Sequence, residues 1–311
     1  MKFKLTILGS GGAIPTAHKK PTSQFLNIQD RYFLIDCGEG TQIQLRKFKC
    51  KFQKIDHIFI SHLHGDHYLG LVGFLSSLNL LGRTQQLHLY APEKLKKILT
   101  VHEDINGRKF DFEIIFHALN FESLNCLYED NIVKVYSFPV DHSVPTCGFL
   151  FQEKERPRSL IKNKLKEYKI PISELKNIKA GNDFIQNNKL IKNTLLTVPA
   201  PPPRSYAFCA DTIYNNSIVE FISNVDLLYH ESTFLNSMLS RAKSTKHSTA
   251  RQAAMIAKEA KVKRLLIGHF SARYKEIDLF ELEAKAVFLN TTAVSDGDEY
   301  EIILNNLQNA D

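Results

Sequence analysis

Ser61-His62-Leu63-His64-Gly65-Asp66-His67 is the stretch on which the reading of this chain turns. Three histidines and an aspartate fall within six positions, directly after an apolar run at residues 55–60 that reads as a strand. Neutral imidazole and carboxylate are the donors of hydrolytic zinc sites, and no cysteine is placed to close this one. Ligands so near in sequence must converge from different directions, so a loop rather than a helix is expected to carry them. Gly65 would permit its tight backbone. One zinc takes about four ligands, so this cluster and distant partners are enough for two metals.

The candidate partners stand where other predicted strands end. Asp141 and His142 follow a strand ending at Phe138, Asp211 follows residues 206–210, and His269 follows residues 264–267. Ligands at the ends of separate strands suit a site on one edge of a sheet sandwich. His18, His57, His88, His102 and His117 lack that context and read as ordinary residues. Further outward, residues 3–7 alternate as a strand before a glycine cluster, and 24–28 with 31–35 read as a hairpin. A helix is expected over 68–81, and strands over 87–90, 112–116, 132–138, 148–151 and 225–229. A second helix over 249–260 carries Ala250, Ala253, Ala257 and Ala260 along one face. The pattern is that of an α/β protein with mixed sheets and helices outside.

The chain has 311 residues, 43% hydrophobic and 23% charged, as an ordinary globular protein does. Its formal net charge is +7, and residues 153–192 alone hold eleven Lys or Arg against five Asp or Glu. By composition that excess fits a solvated helical surface as well as a face for an anionic partner. Residues 153–203, with a helical stretch near 159–169 and a run of prolines at Pro199, Pro201, Pro202 and Pro203, suit an arm projecting from the core. The five cysteines are scattered without a C-x-x-C pair and read as reduced, mostly buried thiols. No run approaches the roughly 20 apolar residues of a membrane span. The brief apolar run after Lys2 and Lys4 does not read as a signal peptide. A cytoplasmic protein is expected.

His62-x-His64-x-Asp66-His67, then His142, Asp211 and His269, resembles the ligand set of the metallo-β-lactamase superfamily. Within it the chain is similar along essentially its whole length to tRNase Z (ribonuclease Z). The narrowing motifs are Asp36-Cys37-Gly38-Glu39-Gly40-Thr41-Gln42, Pro202-Pro203-Arg204-Ser205-Tyr206, His230-Glu231-Ser232-Thr233, His247-Ser248-Thr249 and His269-Phe270-Ser271-x-Arg273-Tyr274. The resemblance implies one αββα sandwich domain over residues 1–311, with residues 153–203 inserted as a protruding basic arm that grips the tRNA body. It implies two zinc ions per chain, other divalent ions being alternatives. His62, His64 and His142 would hold the first, Asp66, His67 and His269 the second, with Asp211 bridging.

The implied reaction removes the 3′ trailer from precursor tRNA by phosphodiester hydrolysis, leaving a 3′-hydroxyl on the tRNA and a 5′-phosphate on the trailer. Asp66 would orient or deprotonate the attacking water, and His247, oriented by Glu231, would protonate the departing oxygen. Arg273, Tyr274, Lys19 and Lys20 are the candidate substrate contacts, and a homodimer is implied by resemblance alone. The chain departs from the family pattern twice. Ile170-Pro171-Ile172 lacks the arm's usual glycine, and residues 15–23 carry lysine where arginine is usual, which gives up bidentate geometry. The alternative is a metal-dependent phosphodiesterase of the same fold acting on small substrates. A thioesterase of that fold and a catalytically silent RNA-binding protein are the other rivals.

Overall fold

Alternation along each strand decides the layers of this protein, whose computed structural model describes residues 1–304. One sheet contains β1 (Phe3–Gly9), β2 (Ser23–Ile28), β3 (Arg31–Ile35), β4 (Ile55–Phe59), β5 (Leu87–Ala91) and β6 (Ile114–Ala118). The other contains β7 (Asn125–Glu129), β8 (Val133–Pro139), β9 (Cys147–Glu153), β10 (Ser205–Cys209), β11 (Leu227–Glu231), β12 (Arg264–Gly268) and β13 (Thr291–Ala293). A last strand, β14 (Glu299–Glu301), returns to the first sheet beside β1. The orders are β14-β1-β2-β3-β4-β5-β6 and β13-β12-β11-β10-β9-β8-β7. Both sheets are mixed: β1–β2–β3 pair antiparallel and β3–β4–β5–β6 parallel, while β10–β11–β12–β13 are parallel.

Successive side chains of a strand point to opposite faces, and three cores follow from that. Phe3, Leu5, Phe33 and Phe59 of the first sheet meet Phe149, Phe151, Phe208 and Tyr229 of the second between the sheets. Leu34, Ile58 and Leu89 turn outward beneath α1 (Thr41–Lys47), α3 (Leu71–Leu80) and α4 (Leu95–Asn106), α2 being the short helix Gly65–Tyr68. Ala207, Leu228 and Ile267 turn outward beneath α5 (Ala250–Glu259) and α6 (Asp278–Lys285). The layering is helix, sheet, sheet, helix. Thr249 opens α5 with a capping box, its side chain accepting from Gln252 N–H while Gln252 reaches back.

Several boundaries differ from the sequence reading. The helix expected over 68–81 is interrupted at Gly70, whose N–H donates to Cys37 O and where a Cβ would lie 2.1 Å from Gly38 O. The strands expected at 112–116 and 225–229 run two residues later, as Ile114–Ala118 and Leu227–Glu231. Strands β7, β13 and β14 had no clear apolar signal, for they are short and lie at or next to sheet edges. Of the five cysteines, Cys37, Cys147 and Cys209 are buried and Cys126 is exposed; all are free thiols.

The chain divides into two compact units, Met1–Gln152 with Ser205–Ile302, and a second that contains Glu153–Arg204. In the second, the helical stretch expected near 159–169 is the short helix Lys162–Glu167. It packs a small core of Ile178, Ile191 and Leu196 with Leu165, Tyr168 and Phe184. Its hairpin, Phe184–Gln186 with Lys189–Ile191, turns at Asn187 and Asn188, both at positive φ. Buried Glu153 takes two bonds from the Arg204 guanidinium and two from Arg156, so these cations are spent internally. Among the described residues no helix is long and apolar enough to cross a membrane.

His57 gives the sandwich a sensitivity to acid. Its ring lies 4.2 Å from that of Tyr128, 4.9 Å from His88 and 5.7 Å from Phe33. Burial, then the neighbouring His88 and His117 and the Arg83 charge, against the pull of Asp130, push its pKa from 6.5 down to about 3. Between those values the unfolded chain binds a proton that the folded chain refuses. This contribution to stability is therefore intact above pH 6.5 and lost as pH falls toward 3. Urea unfolding at a series of pH values should show stability declining across that window, with a shallower decline in His57→Leu; an unchanged slope would exclude His57 as a source.

Candidate metal centre

The strands deliver the site residues to one edge of the sandwich. His62 and His64 lie in the loop after β4, His142 follows β8, Asp211 follows β10, Glu231 ends β11, and His269 follows β12. His247 lies just before the N-cap of α5. Contrary to the expectation of a loop throughout, Asp66 and His67 ride on the single turn of α2. Gly65 does not adopt a positive φ; that conformation falls instead on Asp36 (53°) and His269 (61°). At Gly12 an added Cβ would come within 2.6 Å of the His269 ring, so the bare backbone there makes room for it.

The structure brings all seven expected ligands together as two groups, His62, His64, His142 with Asp211, and Asp66, His67 with His269. In the first, His64 Nδ1 is 3.1 Å from both His62 Nε2 and His142 Nε2, and Asp211 Oδ2 is 3.7 and 3.8 Å from those two nitrogens. In the second, His269 Nε2 is 3.2 Å from Asp66 Oδ2 and 3.3 Å from His67 Nε2. The other oxygen of Asp211, Oδ1, lies 3.3 Å from His269 Nε2 and 3.5 Å from His67 Nε2. Donors about 2.0 Å from one tetrahedral zinc stand about 3.3 Å from each other. Asp211 Oδ1 is buried and, among the described residues, accepts no hydrogen bond, which suits an oxygen aimed at a cation. The donor set and this orphaned oxygen fit two metal ions.

Outer contacts hold the rings. His67 Nδ1–H donates to Asp36 Oδ2 at 2.7 Å, and Asp36 also accepts from Ser61 N–H and Oγ–H. Ser61 Oγ, having given its proton to Asp36, accepts from His62 Nδ1 at 3.0 Å. His142 Nδ1–H donates to Lys246 O at 2.7 Å, an oxygen aimed by the positive φ of Lys246. Each bond leaves Nε2 turned toward the cluster. Asp36, Ser61 and Lys246 were not among the residues singled out as site residues from sequence. Asp36 and Ser61 each carried a signal there, as the first polar residue after a predicted strand, and Lys246 carried none.

The electrostatics agree. Burial holds His62, His64 and His142 below the usual imidazole range, in the neutral form that binds metal. Burial works against a charge on His67 too, but Asp211, Asp66 and Asp36 outweigh it and raise its pKa well above normal. Burial likewise opposes ionisation of Asp211, and His269 and His67 overcome it, holding the carboxyl well below normal. The carboxylates favour a cation here, as a metal site does.

Glu231 is buried and accepts five bonds. Oε1 takes them from His247 Nδ1–H (2.9 Å), Ser248 N–H and Thr212 N–H; Oε2 takes them from Thr233 N–H and Oγ–H. Burial disfavours a charged His247, yet Glu231, then Asp211 and Asp66, raise its pKa to about 9. The N-cap of α5 is Thr249, so His247 is not needed to cap that helix.

Of the four candidate substrate contacts, the structure brings Lys19 to Tyr274. The Arg273 guanidinium lies 5.1 Å over the Phe234 ring, and its Nε–H donates to Ser271 Oγ. Tyr274 packs edge-on against Phe280, and its hydroxyl accepts from Leu235 N–H. Lys19 donates to Tyr274 O, and Lys20 to Thr16 O.

A family model described as anti-Pycsar protein Apyc1 matches residues 3–154, ending before Asp211, Glu231, His247 and His269. The chain is 50% identical over 291 residues to a ribonuclease Z of Bacteroides fragilis (strain YCH46), covering 93% of this chain and 96% of that one. It is 45% identical over 295 residues to a ribonuclease Z of Porphyromonas gingivalis (strain ATCC 33277), covering 94% and 97%. Among solved structures, the short form of human tRNase Z (ELAC1) superposes with a TM-score of 0.71 at 26% identity, covering 97% of this chain and all of that one. With identity near one half over more than nine-tenths of both chains, on a sandwich that gathers these ligands at one edge, the chain belongs to the ribonuclease Z family of the metallo-β-lactamase fold.

Proposed function

We propose that the protein is a zinc-dependent endoribonuclease that removes the 3′ trailer from precursor tRNA, leaving a 3′-hydroxyl on the tRNA and a 5′-phosphate on the trailer. The observation that carries this reading is the placement of the Glu231–His247 pair beside the two ligand groups that share Asp211. His62, His64 and His142 would hold one zinc, Asp66, His67 and His269 the other, and Asp211 both. When bound, two zinc ions supply Lewis acidity and lower the pKa of a water toward about 7.

The chain's own residues do the rest. Asp66 orients the attacking water and takes its proton; its Oδ2 is fixed by Ala13 N–H at 2.6 Å. His247, with Nδ1–H bound to Glu231, whose charge favours the protonated imidazole, offers Nε2–H to the departing ribose 3′-oxygen. Arg273, Tyr274, Lys19 and Lys20 border the substrate path. The basic segment 153–203 acts as the arm that grips the tRNA body through its phosphates and shape. Its lysines support this, because Arg156 and Arg204 are engaged with Glu153 while Lys162, Lys169, Lys176 and Lys189 stay exposed. By family resemblance the working form is a cytoplasmic homodimer.

Purified protein given a precursor tRNA with a 3′ trailer should make a single cut after the discriminator base, abolished by chelator and restored by zinc. No cut, together with hydrolysis of bis-p-nitrophenyl phosphate, would assign the centre to small phosphodiesters instead. His247→Ala should lower kcat on precursor tRNA by about 10²–10⁴-fold while metal analysis still finds two zincs; undiminished turnover would remove His247 from the mechanism. Replacing residues 157–199 by a short glycine–serine linker should raise KM for precursor tRNA and spare bis-p-nitrophenyl phosphate. Equal losses on both substrates would refute the role of the arm.

A further inference from the structure

A single hydroxyl stands between the acid pair and the ligand cluster. Thr233 Oγ1 lies 2.9 Å from Glu231 Oε2, 2.9 Å from His269 Nδ1 and 3.1 Å from His247 Nδ1, and the residue is only 6% exposed. A hydroxyl has one proton to donate and two lone pairs to accept with. An ionised carboxylate has no proton to give, and Glu231 already accepts from four other donors, so the Thr233 hydroxyl donates to Glu231. The proton in the contact with His269 must then come from the imidazole. His269 is thereby held with its proton on Nδ1 and its Nε2 lone pair turned to the cluster, 3.2 Å from Asp66 Oδ2 and 3.3 Å from Asp211 Oδ1. His247 has the nearer acceptor in Glu231 Oε1 at 2.9 Å, and its contact with Thr233 is the secondary one.

The backbone keeps the hydroxyl in place. Thr233 N–H donates to the same Glu231 oxygen, and Thr233 O accepts from Ser271 N–H, two residues past His269. We propose that Thr233 is a positioning residue: one hydroxyl sets the tautomer of the metal ligand His269 and secures the carboxylate that orients His247. The assignment rests on the two-metal reading above. It requires the oxygen of the side chain and not its shape. Valine matches threonine in volume but puts a methyl group against the His269 Nδ1–H. The ring must then leave that donor unpaired or carry the proton on Nε2, where it blocks ligation.

The test compares the full chain with Thr233→Val and Thr233→Ser. Metal-free protein would be titrated with zinc against a chromophoric chelator, and the histidine tautomers of the same protein read by ¹⁵N NMR. Wild type and Thr233→Ser should bind two zincs and show His269 protonated on Nδ1. Thr233→Val should bind one zinc normally and the other about 10–100-fold more weakly, with His269 no longer held in one tautomer. At saturating zinc its kcat on precursor tRNA should fall with KM unchanged. A Thr233→Val protein that binds both zincs as wild type does and keeps His269 protonated on Nδ1 would overturn the proposal. Wild-type protein that takes up no zinc would refute the two-metal reading, while the tautomer in that protein would still decide the role of Thr233.

Discussion

Asp211 brings a charged carboxylate into the interior at the end of β10, 2% exposed, with one oxygen toward each ligand group. A buried charge is tolerated only when it is paired with opposite charge or coordinates a metal. That requirement spreads outward. His67 and His269 face Asp211 Oδ1, His62 and His142 face Oδ2, and each of these imidazoles needs its other nitrogen satisfied. Asp36, Ser61, Lys246 O and Thr233 meet the need, so the constraint passes from one carboxylate to a shell of contacts across several loops. Glu231 repeats the pattern: a buried carboxylate whose oxygens accept from His247, Ser248 and Thr233.

The sandwich makes this arrangement possible because it separates rigidity from chemistry. Aromatic side chains between the sheets, such as Phe59 against Phe149 and Phe208 against Tyr229, fix where the strands lie relative to each other. Parallel strands β10, β11 and β12 end side by side, so Asp211, Glu231 and His269 reach the same edge from consecutive strands. On the other sheet β4 brings the His62–His67 segment to meet them. Packed strands hold the donors, and the loops between them supply only short reaches.

Much of this was legible in the chain. The spacing of His62, His64, Asp66 and His67, and the position of His142, Asp211 and His269 after predicted strands, pointed to residues that the structure does bring together. The inner strands were legible because period-two alternation of large apolar residues survives in them. The edge strand β7 was not, since a strand with little burial carries little pattern. Nor was the break at Gly70, because it answers to the backbone of Gly38, more than thirty residues earlier.

The sequence by itself determined which atoms are offered to a metal, which strands carry them, and where cationic charge accumulates, since each depends on residue type and local spacing. Only the tertiary structure decided how those atoms are held. That Asp36 accepts the hydrogen bond from His67 Nδ1–H, that Thr233 lies between Glu231 and His269, and that Lys246 O meets His142 depends on strand register and on loops turning at Asp36, Lys246 and His269. The partners in these bonds stand 31, 36 and 104 residues apart for His67, His269 and His142. A hydrogen bond is set within a few tenths of an ångström, and no local pattern in a chain specifies a distance across such a gap.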